Sequence, residues 1–343
     1  MKKKAVIGMS GGVDSSAAAW LLKRQGFFVF GIYFIVCDGS SPGAAKQAAD
    51  QLNIPLYVYD VRDAFKRRVT DFFLGEYLAG RTPNPCVRCN RLVKWAFLLD
   101  RMRYFGADYV ATGHYADVEY IPETGRYALK RSAAGAKDQT YFLYGLTQAQ
   151  LAVTLFPLSG MTKGQVRETA AAAGLKSAAI PDSVDICFIP GGDYAAYLEN
   201  QTGTRTGFFL DTNGNIMGEH GGIHRYTVGQ RKGLGVSFGR RMYVKSIDAA
   251  NNAVVLADEC DLYAGGFVCG GVNFVSVDKL AGETEATVKI RYAHKPAAAV
   301  ITQRGDAVIC KFLEKQRAVT PGQSAVFYDN GRVLAGGVIQ KTC

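Results

Sequence analysis

The sequence lacks an apolar run as long as the ~18–20 residues that cross a bilayer. Met1-Lys2-Lys3-Lys4 resembles the start of a signal peptide, but the apolar stretch that follows is too short for one. The chain also lacks internal repeats and low-complexity tracts. We therefore expect a cytoplasmic protein that makes no use of a membrane, with 343 residues forming about two or three domains.

Ligands for a structural zinc ion are also scarce. The four histidines are scattered, and the pair Cys86 and Cys89 has no second pair to complete a four-ligand site. Structural disulfides are not expected among the eight cysteines in a reducing compartment. Cys269 and Cys310 lie in apolar, strand-like sequence and are predicted to be core thiols. The cysteines whose motifs indicate chemistry are those of the C-x-x-C pair and Cys187.

A glycine pair marks the first turn of the chain. Ala5 to Met9 reads as a strand, and a helix is predicted from about Ser16 to Gln25, with Ser-Gly-Gly-Val-Asp-Ser-Ser between them at 10–16. Glycines let the backbone aim its N–H groups at one point, and the helix N-terminus favours an anion there. No lysine follows the glycines, so this is not a Walker A loop. The motif resembles the pyrophosphate loop (PP-loop) of ATP pyrophosphatases.

The order of the predicted elements indicates an α/β fold. Strands and helices alternate through the first half, which predicts a Rossmann-like parallel sheet with helices on both faces in a PP-loop domain at 1–192. Turn signals then become dense, and we expect a small β-rich central domain at 193–265. From 266 to 343 the sequence is nearly all strand, which predicts a C-terminal β-barrel. Thr147 and Thr162 are predicted helix N-caps.

Positive charge is concentrated at the two ends of the chain. The net charge is +7 over 1–192, −1 over 193–265 and +4 over 266–343. Ten lysines and arginines face four acids between 62 and 103. A polyanionic partner larger than ATP would explain this distribution, and solvated helix faces would explain it equally well.

Two cysteine segments carry the reactive chemistry. Arg81-Thr82-Pro83-Asn84-Pro85-Cys86-Val87-Arg88-Cys89-Asn90 is predicted to be a stiff, extended loop, with Asn90 capping the next helix. Cys89, near Arg88 and Arg91, is expected to have a lowered pKa. The main hypothesis is a redox pair, Cys89 with Cys187, that handles sulfur. An iron–sulfur cluster on Cys86, Cys89 and Cys187 is the alternative.

Seven motifs in the same order resemble the tRNA-specific 2-thiouridylase family over nearly the whole chain: SGGVDSS, GRTPNPCVRCN, ATGHY, KDQTYFLY, DSVDICFI, TVGQRKGLG and AVTPGQSAVFY. The resemblance implies ATP-dependent 2-thiolation of the wobble uridine of tRNA. It implies that ATP, bound with Mg²⁺, adenylates the C2 oxygen and that a Cys187 persulfide delivers sulfur. Cys89 is then the nucleophile that forms a disulfide with Cys187, and AMP and pyrophosphate leave. A protein of a persulfide relay or a cysteine desulfurase would supply the sulfur, and no tightly bound cofactor is expected.

The same resemblance assigns residues to each substrate. For ATP they are Met9, Ser10, Gly11, Gly12, Val13, Asp14, Ser15, Ser16, Phe34 and Gly113, with Asp14 also a catalytic contact to magnesium pyrophosphate. For the target base they are Asn84, Pro85 and Cys86. For tRNA they are His114, Lys137, Asp138, Gln139, Arg291, Tyr292 and Gln323.

One position departs from the family pattern. Members commonly have an aspartate where this chain has Cys86, and that aspartate takes part in proton transfer at the target base. Its role is therefore unassigned here, and the cluster alternative stays open. Two other functions share the loop: an AMP-forming ligase of a small metabolite, and a module that only senses ATP. Neither needs reactive cysteines or basic ends.

Overall fold

The N-terminal part of the chain alternates between strand and helix. The computed structural model describes residues 2–132, 137–181 and 186–343. The first elements are β1 (Lys4–Gly8), α1 (Val13–Arg24), β2 (Phe28–Ile35), α2 (Gly43–Leu52), β3 (Leu56–Asp60), α3 (Arg62–Phe65), α4 (Asp71–Leu78), α5 (Pro85–Cys89), α6 (Trp95–Tyr104) and β4 (Tyr109–Ala111). Two π-helical segments, Lys66–Thr70 and Asn90–Lys94, join α3 to α4 and α5 to α6.

A hairpin and two more helices follow. These elements are β5 (Ala116–Ile121), β6 (Arg126–Arg131), α7 (Gln148–Leu151), β7 (Thr154–Leu155) and α8 (Lys163–Ala172). Thr147 and Thr162 cap α7 and α8 in complete capping boxes, which confirms both predicted caps. The parallel sheet has the order β3-β2-β1-β4-β7. The predicted Rossmann-like sheet is therefore confirmed.

The middle of the chain forms a small four-stranded sheet. Its elements are α9 (Tyr194–Thr202), β8 (Gly207–Leu210), β9 (Ile216–His220), β10 (Tyr243–Asp248) and β11 (Ala253–Ala257), with the sheet order β10-β11-β8-β9. A cluster of side chains around Phe209 and Leu256 fills its core. The remaining short 3₁₀ turns are Thr140–Phe142, Lys176–Ala179, Pro190–Gly192, Ile223–Arg225 and Glu259–Leu262.

The C-terminal strands close into a six-stranded antiparallel barrel. They are β12 (Tyr263–Phe274), β13 (Thr284–Lys289), β14 (Ala297–Arg304), β15 (Ala307–Arg317), β16 (Ser324–Asp329) and β17 (Arg332–Thr342). Pairing of β12 with both β15 and β17 closes the ring, so the predicted barrel is confirmed. Cys269 and Cys310 are buried in its core, as predicted.

The hairpin β5–β6 crosses from the N-terminal part to the barrel. Lys130 pairs with Arg332 of β17, and the Arg332 guanidinium lies 2.8 Å from the Glu119 carboxylate. Val118 and Leu129 belong to one apolar cluster with Val326 and Val333 of the barrel. The barrel therefore packs against the part of the chain that forms the parallel sheet. Of the helices within the described ranges, none has the length and apolar character needed to cross a membrane.

Candidate active site

The turn after β1 is built for close approach of a ligand. Gly11 has φ +85°, and a Cβ there would lie 2.5 Å from the backbone nitrogen of Ala45, so only glycine fits. Gly12 occupies the N-cap position of α1, and glycine offers no side chain to the first amides of the helix. Helix α1 begins at Val13, three residues before the predicted start. The uncapped N-terminus is a site for an anion, as expected for a phosphate loop.

Serine hydroxyls hold the loop in shape. The Ser15 and Ser16 hydroxyls donate to the Gly12 carbonyl over 3.1 and 3.0 Å, and the Ser10 amide donates to the Ser15 hydroxyl over 3.2 Å. These bonds fix the turn before a ligand arrives. The serines were predicted to donate to phosphate, and in this structure they organise the loop.

Three more predicted ATP residues lie at the same edge of the sheet. Gly113 follows β4, and a Cβ on it would meet the Ser15 nitrogen at 2.7 Å. Met9 is buried directly after β1. Phe34, near the carboxyl end of β2, is half-buried 6.0 Å from the ring of Phe97. Ligands bind at this edge of open α/β sheets, so the structure brings the predicted ATP residues together.

Asp14 is held by two side chains that the sequence did not single out. The Tyr115 hydroxyl donates to Asp14 Oδ1 over 2.7 Å, and Lys163 Nζ lies 2.7 Å from the same oxygen. Lys163 occupies the first turn of α8, where the helix dipole disfavours a cation, so an anionic partner offsets that cost. The signal in the sequence was therefore a lysine directly after an N-cap. One carboxylate among phosphate donors suits Mg²⁺, which keeps waters and substrate oxygens as its other ligands.

The first cysteine motif forms a helix, which corrects the prediction of an extended loop. Asn84 Oδ1 accepts from the amides of Cys86 and Val87 over 3.1 and 3.4 Å, and Pro85 occupies the first turn. The cap is thus Asn84, and the predicted cap Asn90 lies inside the continuing π-helical segment. Proline at a helix start is favourable because the missing N–H is not needed there.

The reactive thiols meet on one apolar cluster, here called the thiol floor. Its members include Phe65, Phe73, Val93, Phe188 and Ile189, with Cys37 and Cys89 packed against them. Cys187 precedes Phe188 directly, and the charges of Cys86 and Cys89 each raise the pKa of a neighbouring thiol in this group. Cys89 and Cys187 are therefore on the same side of the molecule. Residues 182–185 of the second motif lie outside the described residues.

The expected lowering of the Cys89 pKa is wrong. Desolvation by its apolar surroundings raises the pKa of Cys89, and desolvation likewise raises the pKa of Cys86 and of Cys187 to about 11. Solvent reaches Cys86 and Cys187, but the surrounding protein removes much of the water around each sulfur. Arg88 does not lower the pKa of Cys89 because its guanidinium is engaged elsewhere. It donates to the Arg68 carbonyl over 2.5 Å and lies over the Phe72 ring.

Lys94 is the cation that faces the thiols. Its charge lowers the pKa of Cys86, Cys89 and Cys187, against the larger effect of desolvation. It also acts on His114, whose pKa falls well below its usual value, first through desolvation and then through Lys94. The His114 ring lies 5.7 Å from Trp95, and its Nδ1 is 2.8 Å from the Thr112 hydroxyl. Lys94 therefore links the thiols to the segment that carries Gly113.

The geometry does not fit an iron–sulfur cluster. Across residues 2–132, 137–181 and 186–343, no three His, Cys, Asp or Glu side chains are gathered closely enough to hold a metal ion. Cys86, Cys89 and Cys187 all belong to those ranges and are free thiols. The arrangement is that of separate nucleophiles on a common floor.

Gln323, a predicted tRNA residue of the barrel, lies close to the first cysteine motif, which holds the predicted target-base residues. Gln323 Nε2 donates to the Thr82 carbonyl over 3.1 Å, and the Thr82 amide donates to the Pro321 carbonyl over 3.0 Å. Tyr141 interacts with the side chain of Asn84 and donates to the Ser324 carbonyl over 2.8 Å. The barrel therefore braces the segment that leads into α5. Gln323 acts here as a bracing residue.

Two further predicted tRNA residues pack beside this junction. Arg291 donates to the Ala318 carbonyl, and Tyr292 lies 4.5 Å from the ring of Phe142. Lys289 lies 5.2 Å from the Tyr292 ring. Arg291 and Tyr292 are thus near the motif at 137–144, and their contact with tRNA stays a prediction.

The three residues of the segment 137–139 have different surroundings. Asp138 is buried, and its carboxylate accepts from Arg131 over 3.2 Å and from the Thr140 hydroxyl over 2.9 Å. A contact of this carboxylate with RNA is therefore not what the structure presents. Gln139 Oε1 accepts from the Tyr115 amide over 3.0 Å, which ties the segment to the Asp14 side of the site. Lys137 is half-buried next to Tyr292 and remains a predicted contact.

A basic loop in the middle of the chain was missed because the central region is neutral overall. Residues 220–247 contain six lysines and arginines and no aspartate or glutamate. A cavity of about 480 Å³ is lined by three of the arginines and by the glycines between them: Arg231, Gly233, Gly235, Arg240 and Arg241. The Thr227 hydroxyl, at the start of the segment TVGQRKGLG, lies 3.3 Å from the Thr82 hydroxyl. The basic loop, residues 231–241, is therefore continuous with the first cysteine motif.

Family models match the three parts of the chain in order. They are the tRNA methyl transferase HUP domain over 3–191, the tRNA methyl transferase PRC-barrel domain over 195–258 and the aminomethyltransferase β-barrel domain over 264–339. Together with the phosphate loop, the parallel sheet and the free thiols, they define the class: an enzyme with a PP-loop nucleotide domain and a C-terminal barrel.

The relatives identify the family within that class. A tRNA-specific 2-thiouridylase MnmA of Caldicellulosiruptor saccharolyticus is 46% identical, over 99% of this chain and 99% of its own length. Proteins of the same name from Clostridioides difficile and Lachnoclostridium phytofermentans are 46% and 47% identical. They cover 100% and 99% of this chain, and 99% and 100% of their own lengths. The chain belongs to the tRNA-specific 2-thiouridylase (MnmA) family.

Proposed function

We propose that this protein is a tRNA-uridine 2-sulfurtransferase that uses ATP to activate the wobble uridine. The observation that carries the proposal is the meeting of two sites at one edge of the parallel sheet. The phosphate loop follows β1. The thiol floor packs against the residues that follow β2 and against the last residue of α5. The charge of Lys94 acts on the thiols and on His114, the residue that follows Gly113 of the phosphate site. An adenylated base and a sulfur donor therefore have one common place to react.

The first chemical step uses the phosphate loop. The uncapped N-terminus of α1 and Lys163 hold the phosphates of ATP, and Asp14 holds the accompanying Mg²⁺. The C2 oxygen of the uridine attacks the α-phosphorus, the bond to the β-phosphate breaks and pyrophosphate leaves. The oxygen, now an AMP ester, becomes a good leaving group.

The second step uses the two thiols. A Cys187 persulfide carries the terminal sulfur, and the Cys89 thiolate attacks the inner sulfur of that persulfide. The new Cys89–Cys187 disulfide forms as hydrosulfide leaves, and hydrosulfide displaces AMP from C2 to give 2-thiouridine. Raised thiol pKa values are compatible with this order because a neutral Cys89 thiol keeps its proton until it attacks, and the charge of Lys94 favours the thiolate at that step.

The partners follow from the same geometry. Exposed Cys187 is accessible to a persulfide on a donor protein, from a relay or a cysteine desulfurase. The basic loop next to Thr82, with Arg291 and Lys137, offers cations to the phosphates of a tRNA whose target base leaves its stack. We place the reaction in the cytoplasm, where thiols are kept reduced.

Reconstitution tests the proposal. Protein, tRNA, Mg·ATP and a persulfide donor are combined, and the tRNA nucleosides are analysed by mass spectrometry. We expect 2-thiouridine with wild type and with Cys260→Ser, an exposed cysteine remote from the thiol floor, and none with Cys187→Ser. Full 2-thiouridine formation by Cys187→Ser would exclude Cys187 as the sulfur carrier, and ATP turnover without any 2-thiouridine would favour a ligase of a small metabolite. Absence of turnover with all components present would favour an ATP sensor.

A further inference from the structure

No step above uses the Cys37 thiol, which lies at the edge of the parallel sheet where the predicted ATP residues meet. It follows β2 by two residues and opens a tight turn in which the Ser40 amide donates to the Cys37 carbonyl over 3.2 Å. The Ser40 hydroxyl lies 3.4 Å from the Cys37 sulfur. The two groups are within hydrogen-bond distance, since sulfur takes part in weak hydrogen bonds over longer distances than oxygen.

Cys187 is a neighbour of both Cys37 and Cys89. The Cys37 sulfur is 4.0 Å from the Cys187 carbonyl oxygen, and both Cys37 and Cys89 pack against the thiol floor that contains Phe188. A disulfide needs Cα atoms about 4.4–6.8 Å apart. Contact between the Cys37 sulfur and the backbone of residue 187 makes these two residues direct spatial neighbours, as such a bond requires. Charge on either neighbour affects the Cys187 thiol, which supports the same placement.

A cavity leads from Cys37 to the surface. Its volume is about 740 Å³, and its lining includes Cys37, Arg62, Lys66, Phe188 and Tyr197. This volume is in the range of pockets that hold small-molecule ligands. Cys89 is half-buried like Cys37, but it does not line this cavity and lies in α5 with the predicted target-base residues Pro85 and Cys86. A reductant can therefore reach Cys37 without entering the place of the tRNA base.

We propose that Cys37 is a resolving cysteine that moves the catalytic disulfide away from Cys89. The Cys37 thiolate attacks the Cys187 sulfur, the Cys89–Cys187 bond breaks, and the electron pair leaves on Cys89, which takes a proton. The product is a Cys37–Cys187 disulfide, and no net oxidation or reduction occurs. A thiol or dithiol reductant entering the cavity then reduces this disulfide and becomes a disulfide itself. The inference rests on the proposed function, which generates the Cys89–Cys187 disulfide.

Disulfide mapping after one turnover tests the exchange. Enzyme loaded with persulfide is mixed with tRNA and Mg·ATP without reductant, quenched in acid, alkylated and digested for mass spectrometry. Wild type is expected to yield linked peptides of Cys37 and Cys187. Cys37→Ser is expected to yield only the Cys89–Cys187 link. With a dithiol reductant present, turnovers after the first are expected to slow about tenfold or more in Cys37→Ser.

Controls separate this inference from the proposed function. Cys260→Ser should match wild type in both assays, and Cys37→Ala, with thermal melting of every variant, guards against an effect on folding. A Cys89–Cys187 link alone in wild type, with unchanged turnover in Cys37→Ser, overturns the resolving role and leaves the thiolation intact. If 2-thiouridine and any disulfide of Cys187 are both missing, the proposed function fails and the resolving role fails with it.

Discussion

Gly113→Ala tests whether the segment after β4 shapes the phosphate loop. An alanine Cβ would lie 2.7 Å from both the Asp14 carbonyl carbon and the Ser15 nitrogen, where ordinary contacts begin at 3.4 Å. The backbone of α1 must therefore retreat by about 0.7 Å. Overpacking against a rigid neighbour costs about 1–3 kcal/mol. Because the atoms displaced are those of the loop, we expect this cost to fall on ATP binding and on folding together.

The assay measures both quantities on the same variant. ATP affinity is obtained by calorimetry, and the free energy of unfolding by urea denaturation. The combined loss should be about 1–3 kcal/mol, and if all of it fell on ATP binding the dissociation constant would rise by about 5- to 160-fold. Gly75→Ala is the matched control, since Gly75 lies inside α4 and a Cβ there meets nothing within 4 Å.

The two variants should move in opposite directions. Alanine inside an exposed helix is favoured over glycine by up to about 1 kcal/mol, so Gly75→Ala should be neutral or stabilising. If Gly113→Ala changed neither ATP affinity nor unfolding by more than about 0.5 kcal/mol, the close approach of this segment to α1 would play no part in ATP binding.

Three other outcomes follow from the site. Lys163→Met should raise the KM for ATP about tenfold or more, with Lys163→Arg retaining part of the affinity; an unchanged KM would exclude a phosphate contact. Alkylation of Cys187 by iodoacetamide should quicken about tenfold per pH unit from pH 7 to 10, since desolvation raises its pKa to about 11; a plateau below pH 9 would contradict this. Alanine at three arginines of the basic loop, Arg231, Arg240 and Arg241, should weaken tRNA binding. The slope of the logarithm of the binding constant against the logarithm of the salt concentration should fall in magnitude by about 0.7–0.9 per lost phosphate contact. If these variants lost binding of a donor protein and kept binding of tRNA, the loop would be reassigned to that protein.

Local signals in the sequence predicted the parts of the fold that depend on local chemistry. The caps at Thr147 and Thr162 were found because a threonine with glutamine three residues later satisfies helix amides by itself. The phosphate loop was found because glycines and serines between a strand and a helix have few other uses. The closed barrel followed from short alternating strands at regular spacing.

Features that depend on distant residues were missed. Hairpin β5–β6 extends the barrel sheet through Lys130 and Arg332, and no local pattern shows a partner some 200 residues away. The pKa of Cys89 was mispredicted because nearness in sequence placed Arg88 beside it, whereas in space that arginine lies over Phe72. Lys94 and Lys163 were not predicted as site residues because only their neighbours in space identify them. Those neighbours are the thiols for Lys94 and the Asp14 carboxylate for Lys163.

The brace between Pro321 and Thr82 bears on how the enzyme matures. The amide of Thr82, two residues before the cap of α5, finds its acceptor in a turn that the ribosome makes almost last. A nascent chain therefore has its nucleotide loop long before it has a fixed helix for Cys86 and Cys89. Chains that end before Pro321 lack this acceptor, so a test of ATP binding alone is no measure of a formed sulfur-transfer pocket.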